Sequence, residues 1–275
     1  MCGPIRLLAA FVAVNLTLAT LPACADALQD IKSKGSLTWG VLTANPPLGL
    51  IDPATRQPAG FDLDICAAIA ARIGVKLEVK PVTLESRVAE VALGRIDLAS
   101  AALAYNKERA EQIAFSSAYY RQPLKIITLA DSGISKFSDL KGQKISATKG
   151  STIERYILEQ IPGVSVINFQ DTPSAFLALT QGKVQALGMT NSSGVRYINE
   201  TGTKYRMLDE TLSLEPSAVG MKKGEDALLA AVNDALEGMD GNGEIEKVWN
   251  KWFGPDTNYK IPLGMRLTKI SDIKH

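Results

Sequence analysis

The sequence predicts an α/β protein of two lobes joined by two strands. Three observations carry this. Strand-like and helix-like stretches alternate along most of the chain from Ser36; the alternation falls into two groups, the second starting after Tyr120; and a short strand at 218–221 leads two last helices back to the first group. Repeated β-α-β units imply parallel sheets with helices on their faces. Two lobes joined by two strands, here 124–129 and 218–221, enclose a hinged cleft.

Each element has a local reason. Residues 36–42 (SLTWGVL) read as a strand, ended by the turn formers Asn45-Pro46-Pro47 and Asp52-Pro53. Residues 61–73 read as a helix, because Ile65, Ile69 and Ile73 recur every fourth position. Asp62 and Asp64 lie in its first turn, where the helix dipole favours negative charge, and Gly74 ends it. Cys66 falls on its inner side, which suits a structural thiol. Residues 76–82 alternate as a strand, 86–93 are helical and 96–100 form a short buried strand. In the second group, the strand 145–148 runs through Lys149-Gly150 into a helix beginning near Ser151-Thr152. Strands at 164–169 and 184–189 flank a helix at 172–181; 192–200 are helical and 205–208 extended. Past Pro216 and the strand at 218–221, a long helix from Glu225 to about Gly238 carries Leu228, Ala231, Val232, Ala235 and Leu236 on one face. A last helix holds Ile245, Val248, Trp249 and Trp252, and Gly254-Pro255 ends it.

The N-terminus reads as a leader. Arg6 precedes an apolar run over 7–21 and then Pro22-Ala23-Cys24-Ala25-Asp26, so an export signal cut after Ala25 is expected. The run is short for a membrane span. Leu21-Pro22-Ala23-Cys24 also resembles a lipoprotein box with Cys24 as the lipid-bearing residue; Pro22 is unusual there, and the soluble periplasmic form is expected. Of 30 basic residues only Arg6 leaves with the leader, and 29 then face 29 acidic ones. No basic stripe remains for nucleic acid. Cys66 alone is left to the exported chain, so an internal disulfide is excluded. The single histidine is His275, which argues against histidine-based catalysis or metal binding, and no cofactor motif of the phosphate-loop or dinucleotide kind occurs.

Six motifs, in order, resemble the polar amino-acid-binding proteins of ABC importers, family 3 of the solute-binding proteins. They are GFDLDICAAIAARIGVKLE, GRIDLASAA, KERAEQIAFSSAYY, DLKGQKISATKGST, FLALTQGKVQAL and EIEKVWNKWFG. The resemblance runs from about Gly35 to Gly254 and implies a two-lobed periplasmic-binding-protein fold of type II whose lobes close over a ligand. The organisation expected is a leader at 1–25, a discontinuous first lobe of 26–123 with 222–275, and a second lobe of 124–221.

A buried small anion needs charge-assisted donors, and the planar fork of arginine matches a carboxylate. Arg109 corresponds to the family arginine that grips the ligand α-carboxylate; read without the resemblance, a surface arginine paired with Glu108 or Glu111 is the favoured reading. Ser151 and Thr152 stand where a strand turns into a helix, a place that offers backbone N–H groups to an anion and that hydroxyls also simply cap. The resemblance puts Thr152 on the same carboxylate from the second lobe. Arg87 lies in a stretch that, in relatives taking acidic amino acids, faces the ligand side chain; a solvated charge beside Glu85 or Glu90 is the other reading.

Departures from the family pattern gather on the amino half of the site. Thr190, followed by Asn191, stands where an aspartate holds the ligand ammonium. Asn45 replaces a stacking aromatic residue, and Ala104 and Asn106 replace two small hydroxyls. A neutral hydroxyl cannot compensate a buried ammonium, so the ligand is expected to be either a carboxylate without an α-amine or an amino acid held differently. The partners implied are a small polar or anionic ligand and an inner-membrane ABC permease, with the protein a monomer and not an enzyme. The alternative is an enzyme resembling cyclohexadienyl dehydratases, with Glu154 as the acid. A third possibility, the ligand-sensing domain of a receptor, lacks an anchor or a signalling domain after the tail.

Overall fold

The computed structural model describes residues 27–273. The leader, Cys24 and His275 lie outside them. The first lobe opens with α1 (Ala27–Lys34) and β1 (Ser36–Val41). The stretch read as turns carries a small antiparallel sheet of β2 (Ala44–Asn45), β3 (Gly49–Ile51) and β4 (Pro58–Ala59). Then come α2 (Phe61–Ile73), β5 (Lys76–Pro81), α3 (Arg87–Ala92), β6 (Leu98–Ala99) and α4 (Lys107–Gln112). The strand β7 (Ile113–Leu129) is 17 residues long and leads to β8 (Lys144–Thr148), α5 (Ile153–Gln160), β9 (Ser165–Phe169), α6 (Thr172–Thr180), β10 (Ala186–Thr190), α7 (Asn191–Thr201) and β11 (Tyr205–Met207). The chain returns along β12 (Ser213–Lys222) to α8 (Asp226–Gly241) and α9 (Glu244–Phe253).

The helices follow their sequence patterns. Ile65 and Ile69 of α2 are fully enclosed, and Gly74 closes the helix in the left-handed conformation at φ 85°, where its N–H returns to the Ala70 carbonyl. On α8, Leu228, Val232, Ala235, Leu236 and Met239 are buried; on α9, Ile245, Trp249 and Phe253 recur at every fourth position and are buried too. Cys66 is buried with its Sγ 3.5 Å from Ser100 Oγ, and burial pushes its thiol pKa up, which keeps it in the unreactive form.

The sheet order is β5-β1-β6-β12-β7-β10-β8-β9, with β11 also on β7. Within each lobe the β-α-β strands are parallel: β1 with β5 and β6, β8 with β9 and β10. The expectation of parallel sheets fails at the connection. There β7 and β12 run antiparallel, because one carries the chain out and the other brings it back. The return strand is also longer than the 218–221 read from the sequence. Pro216 lies inside it in register opposite Arg121, and register shifts follow between Ser217 and Ala218 and between Ala218 and Gly220.

Two main sets of buried side chains result, beside smaller ones such as that of Val91, Ile96, Leu103 and Ile113. One gathers Leu37, Trp39, Phe61, Tyr120, Val219, Leu236 and Trp249. The other lies on both faces of the β7–β10 sheet: Ile126 packs with Ile145 and Ile157, whereas its neighbour Ile127 packs with Leu179 and Leu187. Residues 120–124 of β7, paired with 213–217 of β12, bridge them.

Candidate functional site

Both arginines singled out in the sequence reach the same cleft. Arg109 lies on α4, a single turn and a half capped by Asn106, whose side chain accepts the Arg109 N–H at 2.8 Å. Its guanidinium is buried and extends between the lobes. Nη1 donates to the Ala104 carbonyl at 2.8 Å and Nη2 to the Gly150 carbonyl at 2.9 Å. No ion pair joins it to Glu108 or Glu111 among the described residues.

Arg87 opens α3 and is only 2% exposed. Its Nη1 donates to the carbonyls of Ala101 and Ala102, and its Nη2 to the Gly150 carbonyl at 3.4 Å. It is no solvated helix charge: Glu90 pairs instead with Lys80 at 2.7 Å and Arg95 at 3.1 Å. Burial lowers the pKa of both guanidinium groups, and the charge of Arg109 lowers that of Arg87 further. Two cations forced together out of water make a strong attractor for an anion.

The opposite wall comes from the second lobe. Ser151 Oγ donates to the Thr148 carbonyl at 2.6 Å. Thr152 occupies the N-cap of α5 yet makes no side-chain cap; its hydroxyl donates to Glu215 Oε1 at 2.5 Å. Thr190 caps α7 by accepting the Ser193 N–H at 3.3 Å, and the Ser193 hydroxyl donates to Asn45 Oδ1 of the first lobe at 3.1 Å. Asn45, Ala104, Ser151, Thr152 and Thr190 all line the cleft. Asn191 is not among the lining residues; it lies about 100° further round the helix than Thr190, whereas Ser193, near a full turn on, comes back to face the cleft.

Glu215 and Ser193 went unread in the sequence. Glu215 is 7% exposed and belongs to the return strand. A lone glutamate before proline has no periodicity to mark it as inward-facing. Ser193 follows from the helix register once α7 is placed. The cavity measures about 50 Å³ and adjoins one of about 210 Å³ that shares Asn45, Leu84, Thr148 and Thr172 with it. Glu154, the acid of the enzyme alternative, does not line it and instead accepts from Asn168 Nδ2 at 2.6 Å. Among the described residues, no cluster of His, Cys, Asp or Glu could hold a metal, and no helix is long and apolar enough to cross a membrane.

Residues 37–255 match the bacterial extracellular solute-binding proteins, family 3. The ABC transporter glutamine-binding protein of Bacillus subtilis is 31% identical over 236 residues, covering 84% of this chain and 86% of that protein. An ancestral arginine-binding protein bound to glutamine superposes with a TM-score of 0.75 at 34% identity, over 80% of this chain and 98% of that one. An ancestral amino-acid-binding protein described as a precursor of cyclohexadienyl dehydratase superposes with a TM-score of 0.75 at 27% identity, over 83% of this chain and all of the other. With the match spanning both cores and the cleft between them, the chain belongs to the bacterial extracellular solute-binding proteins of family 3.

Proposed function

We propose that this protein is the extracytoplasmic receptor of an ABC importer and captures one small amino acid, or a closely related carboxylate, between its lobes. The observation that carries the reading is the pair of buried arginines, Arg87 and Arg109, facing Thr152 across the cleft. Arg109 and Thr152 grip the ligand carboxylate from opposite lobes, and Arg87 and Ser151 extend the polar lining. Thr190, Asn45 and Ala104 shape the remainder, with Asn191 at its margin. The lobes are 26–123 with the C-terminal segment, and the middle of the chain; the packing of Val219 and Met221 in the first core supports a return crossing at 213–217. Once its leader is cut away, the mature protein acts as a periplasmic monomer and hands the ligand unchanged to an inner-membrane permease. Glutamine binding by a relative 31% identical supports an amino-acid ligand.

Thermal unfolding of the mature protein with each amino acid tests this. A ligand at about 100 times its dissociation constant raises stability by about 2.7 kcal/mol. Arg109→Lys, which keeps the charge and loses the fork, is expected to weaken that ligand by about 10- to 100-fold in titration calorimetry. Recovery of a chemically altered ligand would overturn the reading in favour of an enzyme.

A further inference from the structure

The amino half of the site lacks the aspartate that the family places after the strand β10; Thr190 is there instead, spent on capping α7. A buried ammonium needs a negative partner, because burying it uncompensated is costly. Among the described residues lining this cleft, only Glu215 carries a carboxylate. Glu85 and Asp171 border the adjoining opening, and the enclosed Asp62 already accepts the Ala102 N–H at 3.0 Å and the Tyr119 hydroxyl at 3.3 Å.

We propose that Glu215, supplied by the return strand, is the specificity-determining acceptor of the ligand α-ammonium and so makes this receptor select amino acids over their des-amino counterparts. The inference rests on the function proposed above. Its geometry is local. Glu215 Oε1 accepts a hydrogen bond from the Thr152 hydroxyl at 2.5 Å. The α-ammonium of an amino acid is one carbon from its carboxylate. A ligand carboxylate that draws on the Thr152 hydroxyl therefore deprives Glu215 of its donor and brings the ammonium beside it to replace that donor. Among the described lining residues Arg87 and Arg109 are the cations and Glu215 is the carboxylate, so a ligand carboxylate and its ammonium each have a partner of opposite charge.

The test uses the mature wild-type protein, Glu215→Gln and Glu215→Asp. The proteinogenic L-amino acids and their des-amino acids are screened by thermal shift, and the best amino acid and its des-amino partner are then titrated calorimetrically. The wild type is expected to bind the amino acid more tightly. Glu215→Gln, which keeps an oxygen for Thr152, is expected to lose about 100-fold or more for the amino acid. Its affinity for the des-amino acid is expected to hold or rise, because a negative charge beside the bound carboxylate is removed, and that binding also reports an intact cleft. Glu215→Asp is expected to recover part of the loss. Equal weakening of both ligands in Glu215→Gln, or a wild type that prefers the des-amino acid, overturns the assignment. A wild type that binds neither panel overturns the transport reading itself.

Discussion

Asp62 lies in the first turn of α2, 1% exposed, and was legible in the sequence only as a charge favoured by the helix dipole. Its neighbours tell more. The Ala102 N–H that it accepts belongs to a two-residue bracket, Ala101 and Ala102, held at φ 43° and 52°, a region alanine occupies at a cost of about 1 kcal/mol each. Both carbonyls of that bracket hold Arg87. Burial raises the Asp62 pKa to about 6, against which the Ala102 and Tyr119 hydrogen bonds and the Arg87 charge act more weakly. A carboxyl whose pKa is higher folded than unfolded contributes stability that is full below about pH 4 and lost as pH rises through 6. Asp62→Asn cannot ionise. Relative to that variant, the wild type is expected to lose on the order of 3 kcal/mol of unfolding free energy between pH 4 and pH 7.5. Urea denaturation of both proteins at the two pH values measures it, and a difference that does not change with pH refutes it.

At the scale of elements, the turn between β8 and α5 does something its sequence only half disclosed. Lys149-Gly150-Ser151-Thr152 was legible as a strand turning into a helix with N–H groups free for an anion. In the fold the helix begins at Ile153, and the group that reaches the first lobe is the Gly150 carbonyl, which accepts from both arginines. Gly150 has φ +74°, and a Cβ there would stand 2.5 Å from the backbone of Leu84 and Glu85. Backbone on both sides leaves nothing flexible to give way. Gly150→Ala is therefore expected to fold, to hold the lobes apart and to weaken ligand binding by about tenfold or more, from steric overlap and left-handed strain together. Small-angle scattering with and without the best ligand checks this: compaction in the variant matching the wild type would refute it. The return strand shows the opposite limit. It was read only over 218–221, yet it begins at Ser213 and carries Pro216 in continuous register opposite Arg121.

Across the whole molecule, two cores share no buried side chain and meet through two paired strands and the contacts across the cleft. Damage to one core is expected to stay there while the cleft is empty. Leu236→Ala, which removes a fully enclosed side chain from the first core, is expected to cost about 2–5 kcal/mol. Hydrogen exchange in the absence of ligand is expected to rise in α2, α8 and α9, with protection in β8 and β10 unchanged; a uniform rise over both cores would count against independent lobes. The helices with an apolar face, the strands of the β-α-β units and the burial of Cys66 were readable residue by residue, because periodicity of 3.6 or 2 reports which side of a local element faces inward. The candidate arginines and hydroxyls were readable too, through motifs lying in the family's order. Periodicity does not report which inward faces meet. Thr152 and Glu215 are 63 residues apart, and Asn45 and Ser193 are 148 apart. Their pairing depends on β7 and β12 running antiparallel between the cores, a long-range arrangement that emerges only when the sheets pack and the lobes come together.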